Sequence, residues 1–196
     1  DEWIASALTF VRNSFGNAAS RIEARDVAAV RKATSDRVKP YTIEDFAAYQ
    51  KVPSETVSSW SFASSTRSDP QNAVDGDPET RFDTREEQTP GQWFQFDMGE
   101  PYELTSLVLD TTGSANDYPR GYEVRLSIDG ETWDEPSASG QGAGVVTSIG
   151  LGHSATGRFA RIIQTGAKKG NFWSIHELSI FGRNAVASSP PTTEDV

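Results

Sequence analysis

Hydrophobic residues follow two different periods along this chain. Up to about residue 54 they recur every three or four positions, as in Trp3–Val11, and this spacing is typical of amphipathic helices. After residue 57 they alternate with polar residues, as in Phe94–Met98 and Tyr122–Ile128, which is typical of half-buried antiparallel strands. The pattern therefore predicts a helical segment followed by a β domain.

The helical segment, residues 1–54, contains signals for several short helices. The stretch 13–20 is rich in Gly, Asn and Ser and predicts a loop after the first helix. Asp26 is a candidate N-cap for a second helix. Thr42 is a candidate N-cap for a third, which would present Phe46 and Tyr49 on its apolar face.

Residues 55–183 contain several short strand patterns separated by turn signals, which predicts an antiparallel β-sandwich or jelly roll. The run Leu104–Leu109 is more continuously apolar than the others, so its strand is expected to be more central. Asp129-Gly130 predicts a tight turn. Residues 184–196, rich in Ser, Pro and Thr, are expected to form a flexible tail.

Composition and charge narrow the classes of function. The net charge of the 196 residues is −10; residues 1–56 are neutral and the remainder holds 20 acidic and 10 basic residues. An acidic domain repels phosphate backbones and anionic lipid surfaces, so nucleic acid is not an expected partner. No stretch approaches the roughly 18 apolar residues of a membrane span. Because the chain has no cysteine, disulfides, thiolate metal sites and covalently attached haem are excluded.

Five short motifs fall in one order within the β domain. They occupy residues 72–82 (NAVDGDPETRF), 91–99 (GQWFQFDMG), 118–133, 158–164 and 172–182 (FWSIHELSIFG). In order and spacing they resemble the discoidin, or F5/8 type C, family, which overlaps with the family 32 carbohydrate-binding modules. The resemblance covers about residues 55–183. It implies a mainly β, discoidin-like antiparallel sandwich with a short α-helical N-terminal extension, and a binding role without catalysis.

The first motif contains a candidate metal site. Asp75 and Asp77 flank Gly76, and Thr80 follows three residues later, so several oxygen donors could surround a hard cation. The resemblance implies a structural calcium whose ligands would be Asn72, Asp75, Asp77, Thr80, His176 and Glu177, with His176 contributing its carbonyl oxygen. The alternative is an ordinary turn with solvated acidic side chains.

Three loops are candidates for a ligand face: residues 83–90, 113–120 and 166–173. The resemblance implies that ligand binds at the loops of one end of the sandwich. An aromatic platform and planar polar groups would be needed there for a sugar. The candidate residues are Arg85, Glu87, Asp117, Tyr118, Arg120, Asn171, Phe172 and Trp173. Core packing is the alternative for Trp173, and pairing with a carboxylate is the alternative for Arg120.

The sequence offers no arrangement that predicts catalysis. The pair Asp75/Asp77 is better explained by a cation, and the adjacent pair Glu86/Glu87 does not supply two carboxyl groups that face each other across a cleft. No nucleophile elbow, phosphate-binding loop or dinucleotide fingerprint is found. The His that galactose-binding members of the family use has no counterpart in residues 83–85, so galactose is not predicted specifically.

Residues 8–17 and 26–33 resemble the C-terminal tail of bacterial c-type cytochrome domains. This resemblance implies a parent protein with a cytochrome domain upstream, such as a sugar-oxidising redox enzyme, although this chain itself would bind no haem. The alternative is that residues 1–54 are simply helices that pack on the sandwich. The chain begins at Asp1 without a signal peptide, so it is expected to be a processed piece of a longer protein.

Together these features predict a non-catalytic carbohydrate-binding module, with a structural calcium, of a larger secreted or periplasmic protein. The alternative is a structural or protein-interaction domain without a sugar site. A sugar-binding module would expose aromatic and polar groups together at the loop end. An interaction domain would instead expose a broad apolar patch, which could include Trp3, Phe10 and Phe15.

Overall fold

A computed structural model describes residues 1–12, 21–33, 35 and 50–186 of the chain. The loop expected at 13–20, the helix expected from Thr42 and the tail beyond residue 186 lie outside the described residues. The chain divides into two compact units, Asp1–Ile43 and Glu44–Val196. Among the residues described, no helix is long and apolar enough to cross a membrane.

The first unit contains the helices α1 (Glu2–Arg12) and α2 (Ala24–Ala33). Helix α1 confirms the helix that the apolar spacing of Trp3–Val11 predicts. Its Thr9 hydroxyl accepts a hydrogen bond from the backbone N–H of Ile22 at 2.8 Å, which ties α1 to the segment before α2.

The prediction that Asp26 is the N-cap of the second helix is wrong, because the N-cap position lies three residues earlier. Because α2 begins at Ala24, the N-cap position falls on Glu23, and Asp26 lies in the first turn. Its carboxylate accepts a hydrogen bond from the Glu23 backbone N–H at 2.8 Å. This is the returning half of a capping box, so Asp26 stabilises the helix start from inside the helix.

The second unit is mostly antiparallel strands. A short helix, α3 (Ser54–Val57), precedes β1 (Ser61–Ser64), β2 (Phe82–Asp83), β3 (Trp93–Asp110), β4 (Tyr122–Ser127), β5 (Ala138–Gly140), β6 (Val146–Gln164), β7 (Ser174–Ile175) and β8 (Glu177–Asn184). Short 3-10 helices at Pro70–Ala73 and Thr112–Ser114 lie between strands.

The two long strands β3 and β6 pair with each other in three stretches, separated by register shifts, and build the sandwich. The first part of β3 also pairs with β1, and the last part of β6 pairs with β4, which continues to β5. The second part of β3 pairs with β8 instead. A register shift between Asp97 and Tyr102, where Gly99 has φ of 78°, separates the two parts of β3. The mainly β, discoidin-like antiparallel sandwich is therefore confirmed, and helices precede it in the sequence.

The core is formed by the side chains that alternate inward along the strands. Phe94, Phe96 and Met98 are buried, whereas Gln95 and Asp97 between them are half-buried, as the period of two predicts. The run Leu104–Leu109 is central as expected, because this part of β3 has β6 on one side and β8 on the other. Burying each large apolar side chain contributes about 1.5–3 kcal/mol before the loss of chain entropy.

The end of β4 differs from the prediction. Alternation suggested that Ile128 faces the core, but the strand ends one residue earlier and Ile128 is 59% exposed. The predicted turn follows, with Gly130 at φ of 79°. The Asp129 carboxylate accepts hydrogen bonds from the backbone N–H groups of Thr132 and Glu131, and these donors lower its pKa to about 2.

Candidate functional site

The three candidate loops leave the same end of the sandwich. In the six-stranded sheet, Trp93 at the start of β3 pairs with Ile163 near the end of β6. Tyr122 at the start of β4 pairs with Gln164, the last residue of β6. Strands β2 and β7 form a separate two-stranded sheet, in which Asp83 at the end of β2 pairs with Ser174 at the start of β7. The loops between these strand ends are therefore neighbours.

A buried glutamine, Gln88, holds the three loops together. Its side-chain N–H₂ group donates to the carbonyl oxygens of Tyr118 at 3.1 Å and Phe172 at 2.6 Å. Its side-chain oxygen accepts from the Arg120 backbone N–H at 3.1 Å and from the Gln164 side chain at 2.6 Å. Sequence analysis did not select Gln88 as a site residue, because nothing in a loop pattern distinguishes a buried amide from an exposed one.

Two acidic side chains add further links between the loops. The Asp117 carboxylate accepts from the side chains of Asn171 at 3.3 Å and Ser174 at 2.9 Å. The Glu87 carboxylate accepts from the backbone N–H of Gly170 at 2.9 Å. The structure therefore brings Glu87, Asp117 and Asn171 together, but both carboxylates already bind groups of the neighbouring loop.

Tyr118 and Arg120 form a stacked pair at this end. The guanidinium carbon of Arg120 lies 3.6 Å from the centre of the Tyr118 ring, and one Nη donates to the carbonyl oxygen of Asn116 at 2.7 Å. Arg120 makes no ion pair with any residue that the structure describes, so the carboxylate pairing considered for it is not found. Phe172, on the third loop, is 36% exposed.

The prediction of Trp173 as a ligand residue is wrong. Its side chain is completely buried and packs edge-on against Phe82, with ring centres 5.8 Å apart. Its backbone N–H donates to the hydroxyl of Thr84 at 3.0 Å. Trp173 is therefore a core residue beneath the loops, and it offers no ring surface to a ligand.

Arg85 lies apart from the other candidates. Its Nε is 3.1 Å from a carboxylate oxygen of Asp83, and its side chain lines a cleft of about 570 Å³. Tyr118, Arg120 and the third loop do not line this cleft. The cleft is formed by Ser65, Thr66, Arg67, Thr84, Arg85, Glu86, Thr89, Pro90, Gly91 and Gln92. Arg85 therefore lines a different part of the surface from Tyr118 and Arg120.

The candidate metal loop brings several oxygen atoms together. The Thr80 hydroxyl lies 2.7 Å from a carboxylate oxygen of Asp75, 3.1 Å from the carbonyl oxygen of Asp77 and 3.5 Å from that of Asn72. Gly76 takes φ of 80°, a conformation that glycine adopts without strain and that lets the loop turn. The Asp77 carboxylate accepts from the Glu79 backbone N–H, and the Asp77 carbonyl oxygen accepts from the Thr80 backbone N–H.

The carboxylate of Glu177 reaches this loop from the start of β8. Burial and the nearby Asp75 carboxylate raise the pKa of Glu177, and the Lys51 charge and the Gly76 backbone oppose this shift. Its Oε1 is buried and has no hydrogen-bond partner among the described residues. A buried, unpartnered carboxylate oxygen beside a second carboxylate is a feature that a bound cation would satisfy.

The donor set fits Ca²⁺ in its chemistry. In the described part of the chain, no three His, Cys, Asp or Glu side chains gather as a metal group. The remaining ligands would therefore be the carbonyl oxygens of Asn72 and Asp77 and the Thr80 oxygens, beside Asp75 and Glu177. Calcium accepts such mixed sets of carboxylate, carbonyl and hydroxyl oxygens.

The His176 side chain has a structural position between the metal loop and the second candidate loop. Its Nδ1 is 2.8 Å from the carbonyl oxygen of Pro78, and its Nε2 is 3.0 Å from the Ser114 hydroxyl. Because a carbonyl oxygen only accepts, Nδ1 carries the proton in the neutral imidazole and Nε2 accepts from Ser114. The Ser114 hydroxyl also accepts from Arg81 at 2.6 Å. Only the His176 carbonyl is thus left for the predicted ligand role.

Comparison with known proteins agrees with this architecture. The family model for the F5/8 type C domain matches residues 54–178. The module CpGH89CBM32-5 from Clostridium perfringens, solved in complex with GalNAc-β-1,3-galactose, has 20% identity and a TM-score of 0.56, covering 67% of this chain and 99% of its own. The family 32 module of C. perfringens NanJ, in complex with galactose, has 17% identity and a TM-score of 0.54, covering 67% and 97%.

A third similar structure is a chitosan-binding module of a chitosanase/glucanase from a Paenibacillus species, with 20% identity and a TM-score of 0.53, covering 62% of this chain and 93% of its own. No curated protein sequence matches the chain. At these identities the structural similarities show a shared fold. Because the family model matches well over half of the residues, the chain belongs to the F5/8 type C domain family.

Proposed function

We propose that this chain is a non-catalytic carbohydrate-binding module. The observation that carries the proposal is the loop end itself, where Phe172 is exposed beside the Tyr118–Arg120 pair and Asn171, and where Gln88 fixes all three loops. A sugar site needs an aromatic surface for the apolar face of the ring and planar polar groups for its hydroxyls. Both kinds of group occur here.

Each residue of this face would have a different role. Phe172 offers ring surface for stacking, and Arg120 and Asn171 carry N–H donors that suit neighbouring hydroxyls. The carboxylates of Asp117 and Glu87 bind their own loops and would shape the site. Two of the similar structures are complexes with galactose-containing sugars, which makes a sugar the first class of ligand to test.

We also propose that the loop from Asn72 to Thr80, with Glu177, holds a structural Ca²⁺. The ion would neutralise the adjacent carboxylates of Asp75 and Glu177 and fix the loop. The ligand shell would be nearly filled by protein oxygens, so a catalytic role is not proposed. Through His176 and Ser114 the loop is bonded to the second candidate loop, so the ion would also support the ligand face.

The module would belong to a larger secreted or periplasmic protein and bring it to a polysaccharide. The resemblance of residues 8–17 and 26–33 to a cytochrome tail supports a sugar-oxidising redox enzyme as that parent. Other domains of the parent would then be partners of this chain.

A structural or protein-interaction role is the second candidate, and the first unit supplies the observation that favours it. On α1, Trp3 is 80% exposed and Phe10 is 67% exposed. Large apolar side chains exposed on one helix are typical of a surface that another protein covers. Phe15, the third residue expected in this patch, lies outside the described residues.

A glycan array probed with the full chain and Ca²⁺, followed by calorimetry of the hits, tests the sugar-binding proposal. We expect binding to a defined sugar class that Phe172→Ala and Asn171→Ala each weaken at least about tenfold, since each removes one contact of a few kcal/mol at most. Ile128→Ala and Asn184→Ala are matched controls away from the loop end and should leave affinity unchanged. A folded, calcium-loaded chain that binds no glycan would favour the interaction role.

A further inference from the structure

The cleft between residues 65–67 and the loop 84–92 has a chemistry of its own. We propose that it binds the anionic substituent, a carboxylate or a sulfate ester, of an acidic glycan. The inference rests on the proposed function for the sugar and adds the substrate class. The cleft, of about 570 Å³, is large enough for one sugar unit and lies beside the ligand face on the same loop end.

Positive charge is concentrated at this cleft against the trend of the chain. Two of its side chains are Arg67 and Arg85, and its one acidic side chain is Glu86. The whole chain carries a net charge of −10, and most of its acidic residues lie in the β domain. A local excess of cations on an acidic domain is a feature that would discriminate between acidic and neutral ligands.

Arg85 carries a positive charge that the Asp83 carboxylate does not neutralise, because Asp83 also pairs with Arg81. The carboxylate of Asp83 is nearly buried and meets two guanidinium groups: Arg81 at 3.1 Å on one oxygen and Arg85 at 3.1 Å on the other. Arg81 alone balances the charge of Asp83. Arg85 uses only its Nε in this contact and is 71% exposed, so its two Nη groups can form a bidentate pair with a carboxylate or sulfate.

Arg67 supplies a second cation on the facing side of the cleft. It is exposed and makes no ion pair with any described residue. The hydroxyl groups of Thr66 and Thr89 also line the cleft, whereas no aromatic ring does. Recognition there would therefore depend on charge and hydrogen bonds, because stacking of a sugar on an aromatic face is not available.

The backbone at Arg85 is held in an unfavourable conformation. Arg85 has φ of 55° and is the one non-glycine residue with positive φ in the described part of the chain. This left-handed conformation costs a side-chain-bearing residue roughly 1–2 kcal/mol. The Asp83 carboxylate offsets it by accepting the Arg85 backbone N–H at 3.0 Å. Strain kept at an exposed arginine is typical of residues whose orientation matters for binding.

Calorimetry with trigalacturonic acid and its methyl ester tests the inference, because esterification removes the negative charges and keeps the same sugar chain. We expect the full, calcium-loaded chain to bind the acid at least about tenfold more tightly than the ester, as the loss of charge-assisted hydrogen bonds predicts. Raising the ionic strength should weaken binding of the acid more than binding of the ester. A galactose 6-sulfate oligosaccharide, run beside these, distinguishes sulfate from carboxylate as the preferred anion.

Two variants locate the effect. Arg67→Ala and Arg85→Gly should each weaken binding of the acid about tenfold and leave binding of the ester unchanged. Glycine is chosen at residue 85 because it accepts the left-handed conformation without strain. Arg125→Ala is the matched control, since Arg125 is bonded to Glu123 on the sheet, away from the cleft.

Equal affinities for acid and ester, or full retention of acid binding in both cleft variants, would overturn the inference. If inorganic sulfate competes as well as the sulfated sugar, the cleft binds free anions and the inference also fails. Sugar binding that persists for neutral glycans and is lost in Asn171→Ala would leave the proposed function standing. Binding of no glycan at all would instead refute the proposed function.

Discussion

The side chain of Gln164 donates a hydrogen bond of 2.6 Å to the side-chain oxygen of Gln88, and both side chains are at most 1% exposed. One amide belongs to the end of β6 and the other to the first candidate loop. An isolated buried amide is costly, so this pair persists only because every polar atom of Gln88 finds a partner in a neighbouring loop. The proposed ligand face is thus held in place by buried polar contacts beneath it.

Replacing Gln88 should therefore destabilise the whole domain. Gln88→Leu removes four side-chain hydrogen bonds and leaves donors of Arg120 and Gln164 without partners. We expect the free energy of unfolding to fall by about 2–4 kcal/mol, measured by denaturant titration. Gln71→Leu, at an exposed position, is the control and should change it by less than about 0.5 kcal/mol. Equal effects of both variants would contradict the role given to Gln88.

The contrast between Phe94 and Gln88 explains how much the sequence could predict. Alternating apolar residues such as Phe94 and Phe96 record which face of a strand is buried, so the sandwich could be predicted from local pattern. The burial of Gln88 and Trp173 depends on contacts with residues more than 80 positions away, such as Phe172 and Thr84. A period of two contains no information about such contacts.

Boundaries and functional roles were predicted less well for related reasons. Alternation continues through Ile128 although β4 has ended, because the Asp129–Gly130 turn stops the strand before its apolar pattern does. The eight candidate ligand residues came from three loops, but only the topology shows that Arg85 faces a separate cleft. In the metal loop the motif was short and continuous, and the oxygens of Asp75 and Thr80 do meet.

Calcium should stabilise the domain through Asp75 and Glu177. Adding Ca²⁺ at about 100 times its Kd should raise the free energy of unfolding by about 2.7 kcal/mol, and chelation should reverse this. Glu177→Gln and Asp75→Asn should each abolish most of the shift, because each removes a carboxylate ligand. The measurement is thermal unfolding with and without Ca²⁺.

Glu79→Gln is the matched control for the calcium prediction. Glu79 lies in the same loop and is exposed, and only its backbone N–H bonds to the loop, through Asp77. Its variant should retain the full calcium-dependent shift. A chain that melts at one temperature whatever the Ca²⁺ concentration would refute the site, and a loss of the shift in Glu79→Gln would place the site elsewhere in the loop.

The ion pair between Asp97 and Arg158 should make part of the stability depend on pH. Hydrogen bonds from Arg158 at 2.8 and 2.9 Å lower the pKa of Asp97, burial opposes them, and the Gly99 N–H lowers it further. A carboxyl group with a lowered folded pKa stabilises the protein above its unfolded pKa of about 3.9 and loses that effect as the pH falls through the folded value.

Asp97→Asn should therefore reduce the free energy of unfolding at pH 7 by no more than about 1 kcal/mol, because both partners are partly exposed. The difference from the parent chain should shrink as the pH falls below 4. Arg158→Gln should lose a similar amount, and the double variant should lose little more than either one. A deficit of Asp97→Asn that stays the same at pH 7 and pH 2 would contradict this account.

The burial of Trp173 separates stability from ligand binding. Trp173→Phe should lower the free energy of unfolding by about 1–3 kcal/mol, because it leaves a cavity against Phe82 in a closely packed core. It removes no hydrogen bond, since the indole N–H has no partner among the described residues. Affinity for any glycan bound by the loop face should stay within about twofold, a difference of roughly 0.4 kcal/mol.

Trp133→Phe is the control for this variant. The Trp133 ring is only half-buried and lies 4.1 Å from the guanidinium carbon of Arg161, so its replacement should cost less than about 1 kcal/mol. Denaturant unfolding and calorimetry on the same two variants give both quantities. If Trp173→Phe kept its stability but lost glycan binding, the indole would contact the ligand. It would then have to become exposed on binding. Loss of stability with binding retained is the result that a core position requires.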